Sequence, residues 1–167
     1  MRALRPLIVA ALVALVVTPA FAQEPVGCDK FKWPLDREKA LLASPAAVAP
    51  GGEVAAPLDK AVKLATVALD EAKLPMEPTR KPKPETYAGY VRLGALPKAG
   101  TYRITLTEPA WIDVFQDGGA IKSGAFSGAL GCEGIRKSVK FDLSAAPLVI
   151  EISGTPAHEI AIVVTAD

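Results

Sequence analysis

The feature that most constrains the fold is an alternation of apolar and polar residues that recurs over residues 100–164. Successive side chains of a β-strand point to opposite faces, so a half-buried strand repeats with a period of two. Turn-forming residues, such as Asp117-Gly118-Gly119, separate the alternating segments. This spacing predicts an all-β fold, an antiparallel, jelly-roll-like β-sandwich. The predicted strands are 101–107, 111–115, 139–143, 148–153 and 160–164.

The first 22 residues have the features of a secretory signal peptide. Arg2 and Arg5 precede an apolar run over 7–17, and Ala20-Phe21-Ala22 matches the small-x-small pattern of a cleavage site. The run of about 11 residues is shorter than the roughly 20 that a membrane-spanning helix needs. We therefore expect cleavage after Ala22, no membrane span in the mature protein, and a periplasmic or secreted location.

The charge balance argues against a nucleic-acid partner. The formal net charge is +1, and removing the two arginines of the signal peptide changes it to −1. Neutralising nucleic-acid phosphates requires a strongly basic surface, which this composition does not supply. We divide the chain into a signal peptide (1–22), an N-terminal segment with a loop rich in Ala, Pro and Gly (23–57), and a β-sandwich domain (58–167).

The two cysteines, Cys28 and Cys132, are expected to form a disulfide, because an exported protein meets an oxidising compartment. That bond would fasten the N-terminal segment to the sheet. Two alternatives remain. The cysteines could be separate thiols, or Cys28 could carry a lipid, although Pro25 and the polar Gln23 and Glu24 depart from a lipoprotein signal.

Four segments before residue 100 complete the predicted organisation. Asp36 is suited to start one or two helical turns, which would end near Leu42. The composition of 43–57 predicts a loop. Residues 58–69 fit both helical and strand periodicity, and we favour a strand because a sandwich needs more strands than the last half of the chain supplies.

The other two segments before residue 100 differ sharply in composition. Residues 75–84 contain four prolines and several bases, which predict an extended polyproline II segment on the surface. A solvated connection is favoured there over a binding site for an acidic partner. Residues 87–93 alternate again and predict a further strand.

The single histidine limits the chemistry of the chain. Histidine-rich iron and zinc sites need at least two imidazoles, so one chain cannot build them, and we expect no cofactor and no metal. His158 falls in a predicted turn, where a surface histidine is favoured over a catalytic base. No serine lies in a G-x-S-x-G elbow, and the glycines of 124–134 lack a following Lys-Ser/Thr. An enzyme would require Asp113, Glu133 and His158 to converge.

A possible binding surface involves one strand and one loop. Trp111 and Asp113 share a strand face and could stack on and hydrogen-bond a sugar, but an inward, core position is favoured for Trp111. The predicted loop 123–137 is long for a connection in a sandwich. Long ordered loops tend either to be functional or to be held in place by a disulfide. The candidate ligand-binding residues are Trp111, Asp113, Glu133, Arg136 and Lys137.

The later two thirds of the chain resemble a group of uncharacterised exported proteins of Gram-negative bacteria. The GTYRITL segment, followed by a strand with an acid and then Asp-Gly, is also similar to pre-peptidase C-terminal β-sandwich domains. Some proteins of the exported group carry the label homogentisate dioxygenase, but that activity uses a histidine-rich iron site and does not carry over. The segments that carry the resemblance are Tyr87-Ala88-Gly89, Ala99-Gly100-Thr101-Tyr102, Trp111-Ile112-Asp113-Val114, Cys132 and Arg136-Lys137-Ser138-Val139.

Three functional hypotheses follow. The first is a non-catalytic binding or accessory protein of the cell envelope, whose ligand is a glycan or another protein. The second is an enzyme, either a hydrolase or a metal-dependent activity. The third is a structural or inhibitor-like protein that acts through a sheet edge, which predicts a flat, unprotected edge strand.

Overall fold

The computed structural model describes residues 23–55 and 58–167. The predicted signal peptide and residues 56 and 57 lie outside the described residues. Within the described part, no helix is long and apolar enough to cross a membrane. The elements in chain order are a 3-10 turn Cys28–Lys30, α1 Asp36–Leu42, β1 Ala46–Val48, β2 Glu53–Val54, β3 Val62–Ala65, β4 Val67–Ala68, β5 Tyr87–Leu93, β6 Gly100–Leu106, β7 Trp111–Gln116, β8 Gly119–Ile121, β9 Ser123–Gly128, β10 Lys137–Leu143, β11 Leu148–Thr155 and β12 Glu159–Ala166.

Two β-sheets pack face to face, which confirms the predicted all-β sandwich. The first sheet has the strand order β1-β3-β12-β6-β10-β9, and the second has β2-β5-β11-β7-β8, with β4 also paired to β5. From β5 onward the chain crosses between the sheets at every connection except β7 to β8 and β9 to β10, as in a jelly-roll-like sandwich. Pairing is antiparallel except for β1 with β3 and β2 with β5, so both sheets are mixed.

The core between the sheets is built by the alternation that predicted the strands. Ile104 of β6 and Ile150 of β11 are fully buried, and Phe141 of β10 is 1% exposed. Tyr102 is also buried, and its hydroxyl donates a hydrogen bond to the Lys98 carbonyl at 2.7 Å, so its polar atom is satisfied. Burial of these apolar faces is the main stabilising term of such a fold.

The ambiguous segment 58–69 forms strands, as favoured from the sequence. Val62 and Leu64 of β3 enter the core, and β3 pairs with β12. The prediction of a loop over 43–57 is wrong in part, because the structure has β1 and β2 there. Each of these short strands lies at the edge of a sheet. The prediction of a loop over 123–137 is likewise wrong for its first half, which forms β9 and pairs with β10.

The N-terminal segment covers the outer face of the first sheet. The predicted disulfide between Cys28 and Cys132 is confirmed, with the two Cα atoms 4.7 Å apart. The predicted helix α1 is also confirmed, and its Leu42 packs in a second apolar cluster with Val163 of β12. Glu38 of α1 is 1% exposed and accepts a 2.6 Å hydrogen bond from the hydroxyl of a β12 threonine, Thr165.

Candidate functional site

Trp111 lies on the outer face of the second sheet and is half-buried, so the core position favoured from the sequence is wrong. The neighbouring Ile112 and Val114 fill the core instead, which turns Trp111 and Asp113 outward by alternation. Both faces of this strand carry apolar residues, so periodicity alone could not determine which face is buried. The structure therefore makes Trp111 and Asp113 neighbours at the surface, and their use in binding stays a prediction.

Residues 75–80, here called the strap, lie across this outer face. The backbone N–H of Met76 donates to Glu151 Oε1 at 2.8 Å, and that of Thr79 donates to Asp113 Oδ2 at 3.2 Å. The Thr79 hydroxyl also donates to Asp113. Much of the strap is exposed, as predicted, but it is more than a solvated connection, because two strand carboxylates accept its backbone N–H groups.

Beneath the strap, two carboxylates stand side by side. Asp113 of β7 and Glu151 of β11 are directly paired across the strands and are 5% and 1% exposed. Asp113 also accepts a 3.0 Å hydrogen bond from the indole N–H of Trp111, so both of its oxygens have donors. Glu151 uses one oxygen for Met76, while its Oε2 is buried with no hydrogen-bond partner among the described residues, as is the hydroxyl of Ser153.

This environment favours the protonated form of Glu151. The pKa of Glu151 is raised from 4.5 to about 7: burial is the largest cause, the Met76 N–H opposes it, and the negative charge of Asp113 adds to it. A carboxyl group with this pKa is partly protonated at neutral pH.

Two cations flank the Trp111 ring. The guanidinium carbon of Arg80, at the end of the strap, and the ammonium nitrogen of Lys137, on β10, each lie 5.3 Å from the ring centroid. These distances are within the range of cation–π interactions. Lys137 also donates to the Ala110 carbonyl at 3.0 Å. No carboxylate of the described residues forms an ion pair with Arg80 or Lys137.

Positive charge is concentrated around Lys137. Burial lowers the pKa of Lys137, the charges of Arg136 and Arg80 lower it further, and Asp113 opposes them. The site thus combines a half-buried indole, two cations without ion-pair partners and a buried carboxylate whose hydrogen bonds are all internal. An anionic group bound here would relieve the repulsion among the cations.

The remaining candidates contact other parts of the molecule. Arg136 forms an ion pair with Glu24, and Glu133 is exposed in the turn next to the disulfide. His158 is exposed, and its ring lies 4.0 Å from the ring of Tyr87. Of the five predicted ligand-binding residues, the structure brings together Trp111, Asp113 and Lys137.

Sequence reasoning missed Thr79, Arg80 and Glu151. Glu151 alternates with buried isoleucines, so the pattern predicts a solvent-exposed position. In the structure the strap covers this position. Thr79 and Arg80 lie in a proline-rich segment whose composition predicts exposure. No local signal shows where such a segment docks.

A groove of about 490 Å³ lies on the same outer face beside the strap, and Met76, Phe115 and Val149 contribute to its lining. Its walls are mostly apolar, and Arg92 is among them. Among the residues that the structure describes, no group of three or more His, Cys, Asp and Glu side chains is arranged to hold a metal ion.

Comparisons with protein-family models, with curated proteins and with solved structures found no match to this chain. A function must therefore be inferred from the chemistry of the site.

Proposed function

We propose that this protein is a non-catalytic, exported binding protein of the cell envelope, and that its ligand is an acidic glycan. The observation that carries the proposal is the pair of cations, Arg80 and Lys137, that flank the half-buried Trp111 ring without an ion-pair partner among the described residues. A carboxylate or phosphate of a sugar would bridge the two cations, while the sugar ring lies beside the indole.

The charges favour an anionic ligand over a neutral one. Lys137 is surrounded by more positive than negative charge, and an added anion stabilises its protonated form. Charge-assisted hydrogen bonds from Arg and Lys to carboxylates or phosphates are about twice as strong as neutral ones. The small net charge of the mature chain argues that this attraction is local and does not extend to nucleic acids.

The arrangement of the acids favours binding over hydrolysis. A general acid or base must reach the proton that it transfers. Asp113 and Glu151 are buried beneath the strap, and the two oxygens of Asp113 already accept hydrogen bonds from Thr79 and Trp111. These carboxylates hold the strap and the indole in place, and the ligand meets the cations above them.

Export is supported by the disulfide and by the predicted signal peptide. A disulfide between Cys28 and Cys132 persists in an oxidising compartment such as the periplasm or the extracellular space. The proposed location therefore gives the protein access to acidic polysaccharides and to phosphorylated sugars of the envelope.

The test is a fluorescence titration of the mature protein carrying Trp33→Phe, so that Trp111 is the remaining tryptophan. Polygalacturonate is the acidic probe and pullulan the neutral control. We expect polygalacturonate to change the Trp111 emission and to bind more weakly at higher salt, since the contacts are ionic. Pullulan should cause no change.

Matched variants assign the binding to this site. Arg80→Gln and Lys137→Met should each weaken polygalacturonate binding by about tenfold, the effect of losing one charged contact of about 1.4 kcal/mol. Lys98→Gln, which removes an exposed cation elsewhere, should leave it unchanged. Equal loss of binding in all three variants would show nonspecific attraction, and an absence of polygalacturonate binding would contradict the proposal.

A further inference from the structure

Three large apolar side chains are exposed among the described residues, and they share one edge of the molecule. Val26, Phe126 and Leu130 are 65%, 62% and 43% exposed. Val26 and Leu130 face each other in a parallel bridge, and the Gly27 N–H donates to the Leu130 carbonyl at 2.8 Å. Phe126 lies four residues before Leu130, roughly 13 Å away along an extended chain. Val26 and Leu130 therefore form one exposed apolar pair, and Phe126 is a separate exposed ring on the same edge; contiguous exposed apolar surface marks interaction sites.

The backbone of β9 gives this patch a free sheet edge. β9 ends the first sheet and has six residues, whereas the other edge strands β1, β2 and β8 have three, two and three. Its sequence, Ser-Gly-Ala-Phe-Ser-Gly, contains neither a charge nor a proline, which commonly protect edges. Residues 25–27 close the edge at Leu130, and the Lys32 N–H donates to Ser127 Oγ at 2.9 Å, so the exposed part of β9 is its first four residues.

A bulge in β9 lies next to the exposed Phe126. The pairing of β9 with β10 shifts by one residue between Phe126 and Ser123. Phe126 is paired with the buried Val139, yet the phenyl ring is largely exposed. Bulges redirect neighbouring side chains and often lie near functional sites. The phenyl ring is thus an aromatic anchor presented beside the free edge.

The charges around the patch indicate the chemistry of its partner. The Lys32 ammonium lies 5.2 Å from the Phe126 ring centroid, and the exposed Lys122 immediately precedes β9. Neither lysine has an ion-pair partner among the described residues. A second copy of this chain fits poorly, because antiparallel pairing of two β9 strands would bring the two Lys32 side chains towards each other.

We infer that the β9 edge binds an extended, acidic segment of another protein. The segment adds a strand beside residues 123–126, the exposed part of β9, through backbone hydrogen bonds, which is a common mode of peptide recognition. An apolar side chain of the segment packs on Phe126, and acidic side chains meet Lys32 and Lys122. This surface is distinct from the Trp111 site and does not depend on the proposed glycan.

The test uses NMR of the isotopically labelled mature protein with two synthetic peptides. One alternates valine and threonine and carries two glutamates four positions apart, and its control has lysines in place of the glutamates. We expect the acidic peptide to shift the amide signals of β9 and to bind at least about tenfold more tightly than the control. Phe126→Ser should weaken binding by at least about tenfold without unfolding the protein, because the ring is exposed. Lys98→Gln should have no effect.

Four results would overturn the inference. Equal binding of the acidic and basic peptides would contradict an acidic partner. The absence of binding by both peptides would contradict it as well. Sedimentation that shows a dimer, which Phe126→Ser dissociates, would make a second copy the occupant. Flotation with vesicles of anionic lipid, abolished by the same variant, would make the patch a membrane contact.

Discussion

The substitution Glu151→Gln should change how the stability of this protein depends on pH. Glutamine has nearly the same shape as a protonated glutamate but cannot ionise. In the folded protein, burial and Asp113 raise the pKa of Glu151 to about 7, whereas 4.5 is its ordinary value. The folded state therefore keeps the Glu151 proton over a pH range in which the unfolded chain has lost it.

The sign and size of the effect follow from this difference. Because the folded pKa is the higher one, the contribution to stability is fully present below pH 4.5 and is lost as the pH rises through 7. At 1.36 kcal/mol per pKa unit, the loss in the free energy of unfolding is at most about 3 kcal/mol. Local release of the strap would let water reach Glu151 and reduce this value.

Urea unfolding at pH 5 and pH 8.5, with the disulfide intact, measures the effect. At pH 5 the wild type and Glu151→Gln should differ by less than about 1 kcal/mol, since both carry a neutral side chain. Between pH 5 and pH 8.5 the wild type should lose up to about 2.5 kcal/mol more than the variant, because a small part of the loss has already occurred at pH 5. Glu133→Gln, an exposed matched control, should follow the wild type. If Glu151→Gln and the wild type had the same pH dependence, the reasoning about the buried carboxyl pair would be wrong.

Two further predictions concern the fold. Replacing Cys28 and Cys132 with serine opens a link across a sequence separation of 104 residues and should lower the free energy of unfolding by about 4 to 5 kcal/mol in the loop-entropy treatment. Urea unfolding checks this, and a loss below about 1 kcal/mol would contradict it. Leu64→Ala removes a fully buried side chain of β3 and should cost about 2 to 5 kcal/mol, whereas the matched change Leu130→Ala at an exposed position should cost less than about 1 kcal/mol. Equal losses for the two leucines, measured by thermal unfolding, would refute the assigned core.

The fold could be predicted where a segment supplies its own burial pattern. In β6 and β11 the apolar residues alternate with polar ones, and Ile104 and Ile150 are fully buried as that pattern requires. The sandwich follows from signals that are local in the sequence, whereas the disulfide was predicted from the export signal and from there being two cysteines. Strand β9 gave no such signal, because Ser-Gly-Ala-Phe-Ser-Gly has low β-propensity and pairs only because β10 provides a partner.

The candidate site could be predicted only in part, because it depends on contacts between segments that are distant in the sequence. Trp111 and Asp113 are two residues apart on one strand, so their proximity is readable. The approach of Arg80 and Lys137 to the Trp111 ring depends on how the strap docks and on how the two sheets meet. The burial of Glu151 likewise comes from the strap and not from its own strand.

The acidic-glycan site can be tested by an NMR titration of residues 23–167 with an oligogalacturonate. The indole N–H signal of Trp111 can be assigned by its loss in Trp111→Phe, and it reports on the hydrogen bond to Asp113. We predict that the oligosaccharide shifts this signal and the amide signals of Arg80 and Lys137, and that added salt reverses the shifts. If those signals stay unchanged while the oligosaccharide binds elsewhere, or if it does not bind, the proposed acidic-glycan site is contradicted.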